Sequence, residues 1–183
     1  MRLASGLIAL ALTATAAPAV ASVMVIGNDI AVDCSKAAFA GRADRESIAT
    51  CSRALQEDSL NRRDRAGTLV NRGVMLLRAR DYDAARADLD RAIGLEPTLG
   101  EAFVNRGVVL MADQAYDEAL AEIERGLALG VDEPAKAYYN RALAYESLSD
   151  ARAAYLDYRR AQELDPEWEA PRRQLARFTV TKP

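Results

Sequence analysis

From Ala66 to about Asp165 the apolar positions recur at helical spacing, and they come in pairs of stripes. Around Gly73, the residues four before and three after it, Leu69 and Leu76, share one helical face. Twelve, sixteen and nineteen residues after it, Ala85, Leu89 and Ala92 share the face of a second helix. The same frame returns around Gly107 with Phe103, Leu110, Ala119, Ile123 and Gly126, and around Ala142 with Tyr138, Tyr145, Ala154, Tyr158 and Ala161. The three centres are 34 and 35 residues apart. Small residues at the centre and twelve residues on allow two helix backbones to approach, while the larger residues fill the space around that contact. Asp81-Tyr82-Asp83 marks a turn and a helix start, Asp165-Pro166 a helix end followed by a new start. Pro97 and Pro166 close the first and third copies, whereas the second carries one extra residue before Pro134 opens the next helix. Runs of alternating β-branched residues are scarce, so the chain is expected to be all-α.

This pattern resembles the tetratricopeptide repeat family, whose period, small residues and terminal proline it shares. The resemblance implies a right-handed superhelix, an α-solenoid of antiparallel helix hairpins, with copies at 66–99, 100–134 and 135–166. The chain departs from the family at Arg72, Arg106 and Arg141, where leucine is usual, and lacks tryptophan four residues before the centre. Each arginine has an acid sixteen residues later, Asp88, Glu122 and Asp157. Paired charges within or between hairpins are therefore predicted; the alternative is arginines that reach out to solvent.

Cys34 and Cys51 extend the frame. Superposing Cys51 on Leu89 brings Ser47 onto Ala85, Ala54 onto Ala92 and Cys34 onto Arg72. Residues 28–61 thus read as a degenerate fourth hairpin, helices 29–40 and 44–58, closed by a Cys34–Cys51 disulfide. A redox pair fits poorly, because the cysteines are seventeen apart and the chain has no histidine. Glu167–Phe178 is expected to form one capping helix covering the last hairpin with Leu175 and Phe178, leaving Arg172, Arg173 and Arg177 in water; 179–183 is a tail.

The start of the chain has a different pattern. Arg2 precedes an uncharged apolar stretch, Pro18 breaks it, and Ala19-Val20-Ala21 suits a leader peptidase. Residues 1–21 are read as a signal peptide cut between Ala21 and Ser22, which predicts a periplasmic or secreted protein. The alternative is an uncleaved anchor, since no charge occurs from Leu3 to Ile26. Removing the leader deletes only Arg2 from 24 basic residues, leaving 23 against 27 acidic ones. That balance argues against nucleic acid as a partner, and no later segment predicts membrane insertion.

A solenoid of this kind presents the first helix of each copy to a concave groove. The residues offset from the core stripe there are Val70, Val74 and Leu77, then Val104, Val108 and Met111, then Tyr139 and Leu143, with Lys136 at one end. Asn71, Asn105 and Asn140 recur beside them. Each amide can donate to a carbonyl and accept from an N–H, so the three could grip an extended peptide by its backbone, as in the asparagine ladders of some tetratricopeptide domains. The alternative is local capping within each hairpin. A carboxylate clamp for chaperone tails is poorly matched: Lys136 and Asn105 fit, but Val70, Val74 and Asn140 occupy its other places. The expected partner is another protein or a peptide segment, bound without a cofactor by an adaptor or scaffold. The competing readings are a structural subunit of an envelope complex, docking by its end or convex surface, and a hydrolase using carboxylates. Against the last stand the missing histidines and the missing nucleophile, zinc and phosphate motifs.

Overall fold

A computed structural model describes residues 8–10, 16–57 and 59–180. The expected leader therefore lies partly outside the described residues, as do Asp58, the expected end of the second helix, and residues 181–183. Four antiparallel hairpins follow one another: α1 (Asp29–Phe39) with α2 (Arg45–Gln56), α3 (Arg62–Arg78) with α4 (Tyr82–Leu95), α5 (Gly100–Ala112) with α6 (Tyr116–Leu129), and α7 (Pro134–Ser147) with α8 (Ala151–Leu164). Each helix packs on the next, and the first helices of neighbouring hairpins approach one another more closely than the second helices do. That places α1, α3, α5 and α7 on the inner side of an all-α helical repeat.

The local chemistry of each hairpin is repeated. Asn28, Asp44, Asn61, Asp81 and Asp150 each accept a hydrogen bond from a backbone N–H three residues on, capping their helices. The first helices end in the same double-bonded turn. After α3, the Arg80 N–H donates to the Leu77 carbonyl and the Asp81 N–H to the Leu76 carbonyl, and residues 41–42, 114–115 and 149–150 repeat it. The turn needs a left-handed residue. Gly41 supplies it at no steric cost, whereas Arg80, Gln114 and Ser149 adopt φ of 63°, 61° and 65° with a side chain attached.

The predicted stripes form the core. Leu69, Phe103, Leu89, Ile123, Tyr158 and the alanines opposite them are buried. In the second copy the hairpin is tightest at its open end. A Cβ on Gly100 would stand 2.7 Å from the Gly126 carbonyl oxygen, and one on Gly126 2.6 Å from a Val104 methyl. Only hydrogen at both positions permits that crossing.

The arginines pair in all three copies. Nε and Nη2 of Arg72 donate to Asp88 at 2.7 Å each; Arg106 reaches Glu122 at 3.1 and 2.8 Å, and Arg141 reaches Asp157 at 2.6 and 2.9 Å. The remaining nitrogen, Nη1, faces the preceding hairpin: Ser52 at 2.9 Å, Asp90 at 2.8 Å and Glu124 at 3.7 Å respectively. One guanidinium therefore ties its own hairpin together and links it to its neighbour.

Three expectations are corrected. Cys34 does bond to Cys51, but it does not stand at the arginine position. It lies seven residues before the left-handed Gly41, as Gly73, Gly107 and Ala142 lie seven before Arg80, Gln114 and Ser149. The longer turn between α1 and α2 shifted the count by one. The capping helix is shorter than expected: α9 spans Glu169–Leu175, and Phe178 begins a strand, β2 (Phe178–Val180), antiparallel to β1 (Ile8–Leu10). The β-branched Thr179-Val180-Thr181 run disfavours another helical turn. The Phe178 ring instead lies 5.7 Å from Tyr155 and 6.0 Å from Tyr158. Arg177 is not in water either, because its Nη2 donates to Glu146 at 2.7 Å in a half-buried pair.

Among the described residues no helix is long and apolar enough to cross a membrane, and no cluster of His, Cys, Asp and Glu could hold a metal ion.

Candidate peptide-binding groove

Successive helical residues are about 100° apart. In each copy the asparagine stands two residues before the small central residue, so it points away from the second helix, into the inner face. The arginine, one residue before the centre, points sideways to its acid. The chain's own residues 16–26 occupy that inner face in extended conformation.

The asparagines hold this segment by its backbone. Asn140 Oδ1 accepts from the Ala19 N–H at 2.8 Å and its Nδ2 donates to the Ala19 carbonyl at 2.6 Å. Asn105 does the same with Ala21 at 3.1 and 2.7 Å, and Asn71 with Val23 at 2.8 and 2.7 Å. In an extended chain the N–H and C=O of one residue point to the same side, and the next residue on that side is two further on, about 6.8 Å away. One repeat of the protein therefore advances the held segment by two residues. The segment runs against the repeat order, residue 19 on the third copy and residue 23 on the first. Within these bonds the amides face the segment, not their own hairpins.

The ladder continues onto α1, where Ser35 Oγ donates to the Val23 carbonyl at 2.9 Å and accepts from the Val25 N–H at 3.3 Å. Gly67 on α3 admits the segment: a Cβ there would stand 3.0 Å from methyls of both Val23 and Val25. Neither residue stands out in the sequence, since Ser35 departs from the asparagine pattern and Gly67 has glutamate and lysine at its counterparts, Glu101 and Lys136.

The other predicted groove residues have distinct places. Val70, Val74, Leu77 and Val108 form one cluster against which Val20 and Val23 pack. Tyr139 and Leu143 form another, with Ala16, Ala19 and Met111 against it, while Val104 packs with Ile123 and Ala137. The Tyr139 ring lies 4.8 Å from Trp168 and 5.5 Å from Tyr158, giving that end an aromatic floor. Burial pushes the pKa of both tyrosines up, and the Tyr158 hydroxyl donates to Glu146. Lys136 pairs with Glu133 at 2.6 Å. Beside residues 16–20 a trough of about 790 Å³ remains, lined by Leu77, Val108, Met111, Leu143 and Trp168 among others. At the opposite end Glu101 is buried, which raises its pKa, and it accepts a hydrogen bond from the Asp132 N–H at 2.8 Å.

Residues 66–99 and 135–167 match the tetratricopeptide repeat model; the second copy, with its glycines at 100, 126 and 130, lies between them. A search of curated proteins finds no match. Among solved structures, MamA from Desulfovibrio magneticus superposes with a TM-score of 0.59 at 23% identity, covering 81% of this chain and 82% of that one. The first tetratricopeptide domain of RPAP3 bound to an HSP90 peptide gives a TM-score of 0.56 at 23% identity over 61% and 87%. YrrB, described as having an unusual peptide-binding site, gives 0.58 at 22% over 73% and 63%. At these identities the likeness shows the fold.

Proposed function

We propose that this chain, which carries tetratricopeptide repeats, is an exported adaptor that grips an extended stretch of another polypeptide in its inner groove. The observation that carries this reading is the asparagine ladder. Three fully buried amides each pair with both backbone groups of alternate residues in an extended chain. Such bonds recognise backbone and so tolerate many sequences, while the apolar clusters beside them add affinity through side chains. The peptide complexes of RPAP3 and the peptide site of YrrB support binding of this general kind on the same fold. The groove differs from a carboxylate clamp in having Val70 and Val74 at two cationic or polar places, and Lys136 is engaged by Glu133. We read the partner as an internal segment rather than a chaperone tail, the activity as binding rather than catalysis, and the leader pattern at 1–21 as the address for export to the periplasm or beyond.

A photo-crosslinking residue at Met111, in the groove, and another at Leu156, which is 44% exposed on α8, test this in envelope-containing cells. A defined partner band from position 111 that vanishes when Asn71, Asn105 and Asn140 become alanine is expected. Equal capture from both positions, untouched by the alanines, would move the binding surface elsewhere.

A further inference from the structure

The segment lying in the groove spans the expected cleavage point. The Ala21–Ser22 bond falls between the residue held by Asn105 and the residue held by Asn71. Ala21 and Ser22 are each 1% exposed, so a leader peptidase reaches this bond only while the segment is out of the groove; hydrolysis then, with water giving the Ala21 carboxylate and the Ser22 amine, divides the occupant. Residues 1–21 take with them the two partners of Asn140 and Asn105 and the whole of β1. Residues 22–26 keep Val23 on Asn71 and Val25, 2% exposed, near Ser35. Once untethered, the leader loses the high effective concentration that seats it. Asn71 and Ser35 still hold Val23 beside the new terminus, while the newly charged Ser22 amine adjoins the track that residues 16–21 vacate and takes up water there.

Resting on the adaptor reading above, we propose that this cut opens the groove, and that its ligand is an extended segment of a partner protein which retakes the track of residues 16–21, with an apolar side chain at the place of Val20 and a small one at the place of Ala21. Asn105 and Asn140, left without partners, require a backbone N–H and C=O at alternate residues. Ala21 is 1% exposed, so a side chain at that place is closely surrounded. Ala19 rests on the Tyr139–Leu143 cluster but is only partly buried and borders the trough as Val20 does, so the close fit is at the place of Ala21. Val20, between them, packs against the Leu77–Val108 cluster and borders the open trough of about 790 Å³, so a larger apolar side chain fits there. The segment runs from the third copy toward the first, ending where residues 22–26 remain.

The test uses the protein in two forms: exported by a bacterial host, and retained as the uncut full chain in the cytosol, each identified by intact mass. The probes are fluorescent, C-terminally amidated peptides with the sequence of residues 16–21, unmodified, with Ala21→Leu, or with Val20→Leu. Exported protein is expected to start at Ser22 and to bind the unmodified probe at least tenfold more tightly than the uncut chain does. The Ala21→Leu probe should lose at least tenfold and the Val20→Leu probe should lose nothing. Exported Asn105→Ala/Asn140→Ala protein should lose at least tenfold, with its helical circular dichroism intact. An exported protein that keeps residues 1–21, or equal binding by cut and uncut forms, overturns the opening step. Equal binding of the Ala21→Leu probe overturns the ligand pattern while the adaptor reading stands. Failure of every probe while Met111 still crosslinks a partner also overturns the pattern and spares that reading; failure of both removes it as well.

Discussion

The first hairpin and the three that follow it solve the same problem by different means. In α3–α8 a small residue on the first helix faces a large one on the second, and an arginine beside it bridges two hairpins. In α1–α2 the corresponding place holds Cys34, bonded to Cys51, and Asp33 stands beside it where the other hairpins have arginine. The difference follows from position. An inner hairpin has packing partners on both sides and can share a guanidinium with each. A terminal hairpin has one neighbour, buries less, and depends on a covalent link. The turns divide likewise: the first hairpin has glycine at the left-handed place, the others carry a side chain there.

The comparison can be broken most directly in the core. Leu89→Ala should cost about 4 kcal/mol, since the cavity opens between Gly73 and Ala85 where backbones cannot close further; a chemical-denaturation midpoint shift well under that would show a looser hairpin than the structure has. Converting both cysteines to alanine should cost about 3 kcal/mol for a loop of this size. Hydrogen exchange should then quicken in α1 and α2 first, and uniform quickening through α8 would mean the first hairpin is no separate unit. Arg72→Met should cost about 2 kcal/mol and more than Arg106→Met, because the Asp88 side chain left behind is 5% exposed and that of Glu122 21%; equal losses would make the pairs mere surface contacts. Gly41→Ala should cost about 1 kcal/mol by forcing a Cβ into the left-handed region, while Arg80→Gly should gain a fraction of that, both read from thermal midpoints.

The smallest effect expected is one of pH. Burial raises the Glu101 pKa in the folded chain, so the folded state holds its proton more firmly than the unfolded one. Stability from this group is therefore greatest in acid and declines as pH rises through and above the ordinary glutamate range. Glu101→Gln should flatten that part of the stability–pH curve; an unchanged slope would assign it to other carboxylates.

Much of this could be read along the chain. The two stripes per copy, the small residues where backbones meet, the sixteen-residue arginine–acid spacing and the even cysteine count each depend on helical periodicity, which sequence records directly. The asparagines were legible as a recurring inner-face group for the same reason. Less legible were features where one residue more or less changes the outcome. The longer turn before α2 moved Cys34 from the arginine place to the small-residue place. The aromatic contacts of Phe178 and the β-branched residues after it ended α9 early. Gly67 gave no signal at all, because its role depends on Val23 and Val25 lying across it.

What the sequence determined alone is the hairpin and its repetition, since both follow from contacts between residues fewer than twenty apart whose spacing fixes their faces. What only the tertiary structure decided is the contents of the groove. Ala19, Ala21 and Val23 meet Asn140, Asn105 and Asn71 across separations of 121, 84 and 48 residues. Those bonds join backbone groups, which every residue possesses, so no side-chain pattern in residues 16–26 announces them. They exist because stacked helices bring three distant amides to the two-residue pitch of an extended chain.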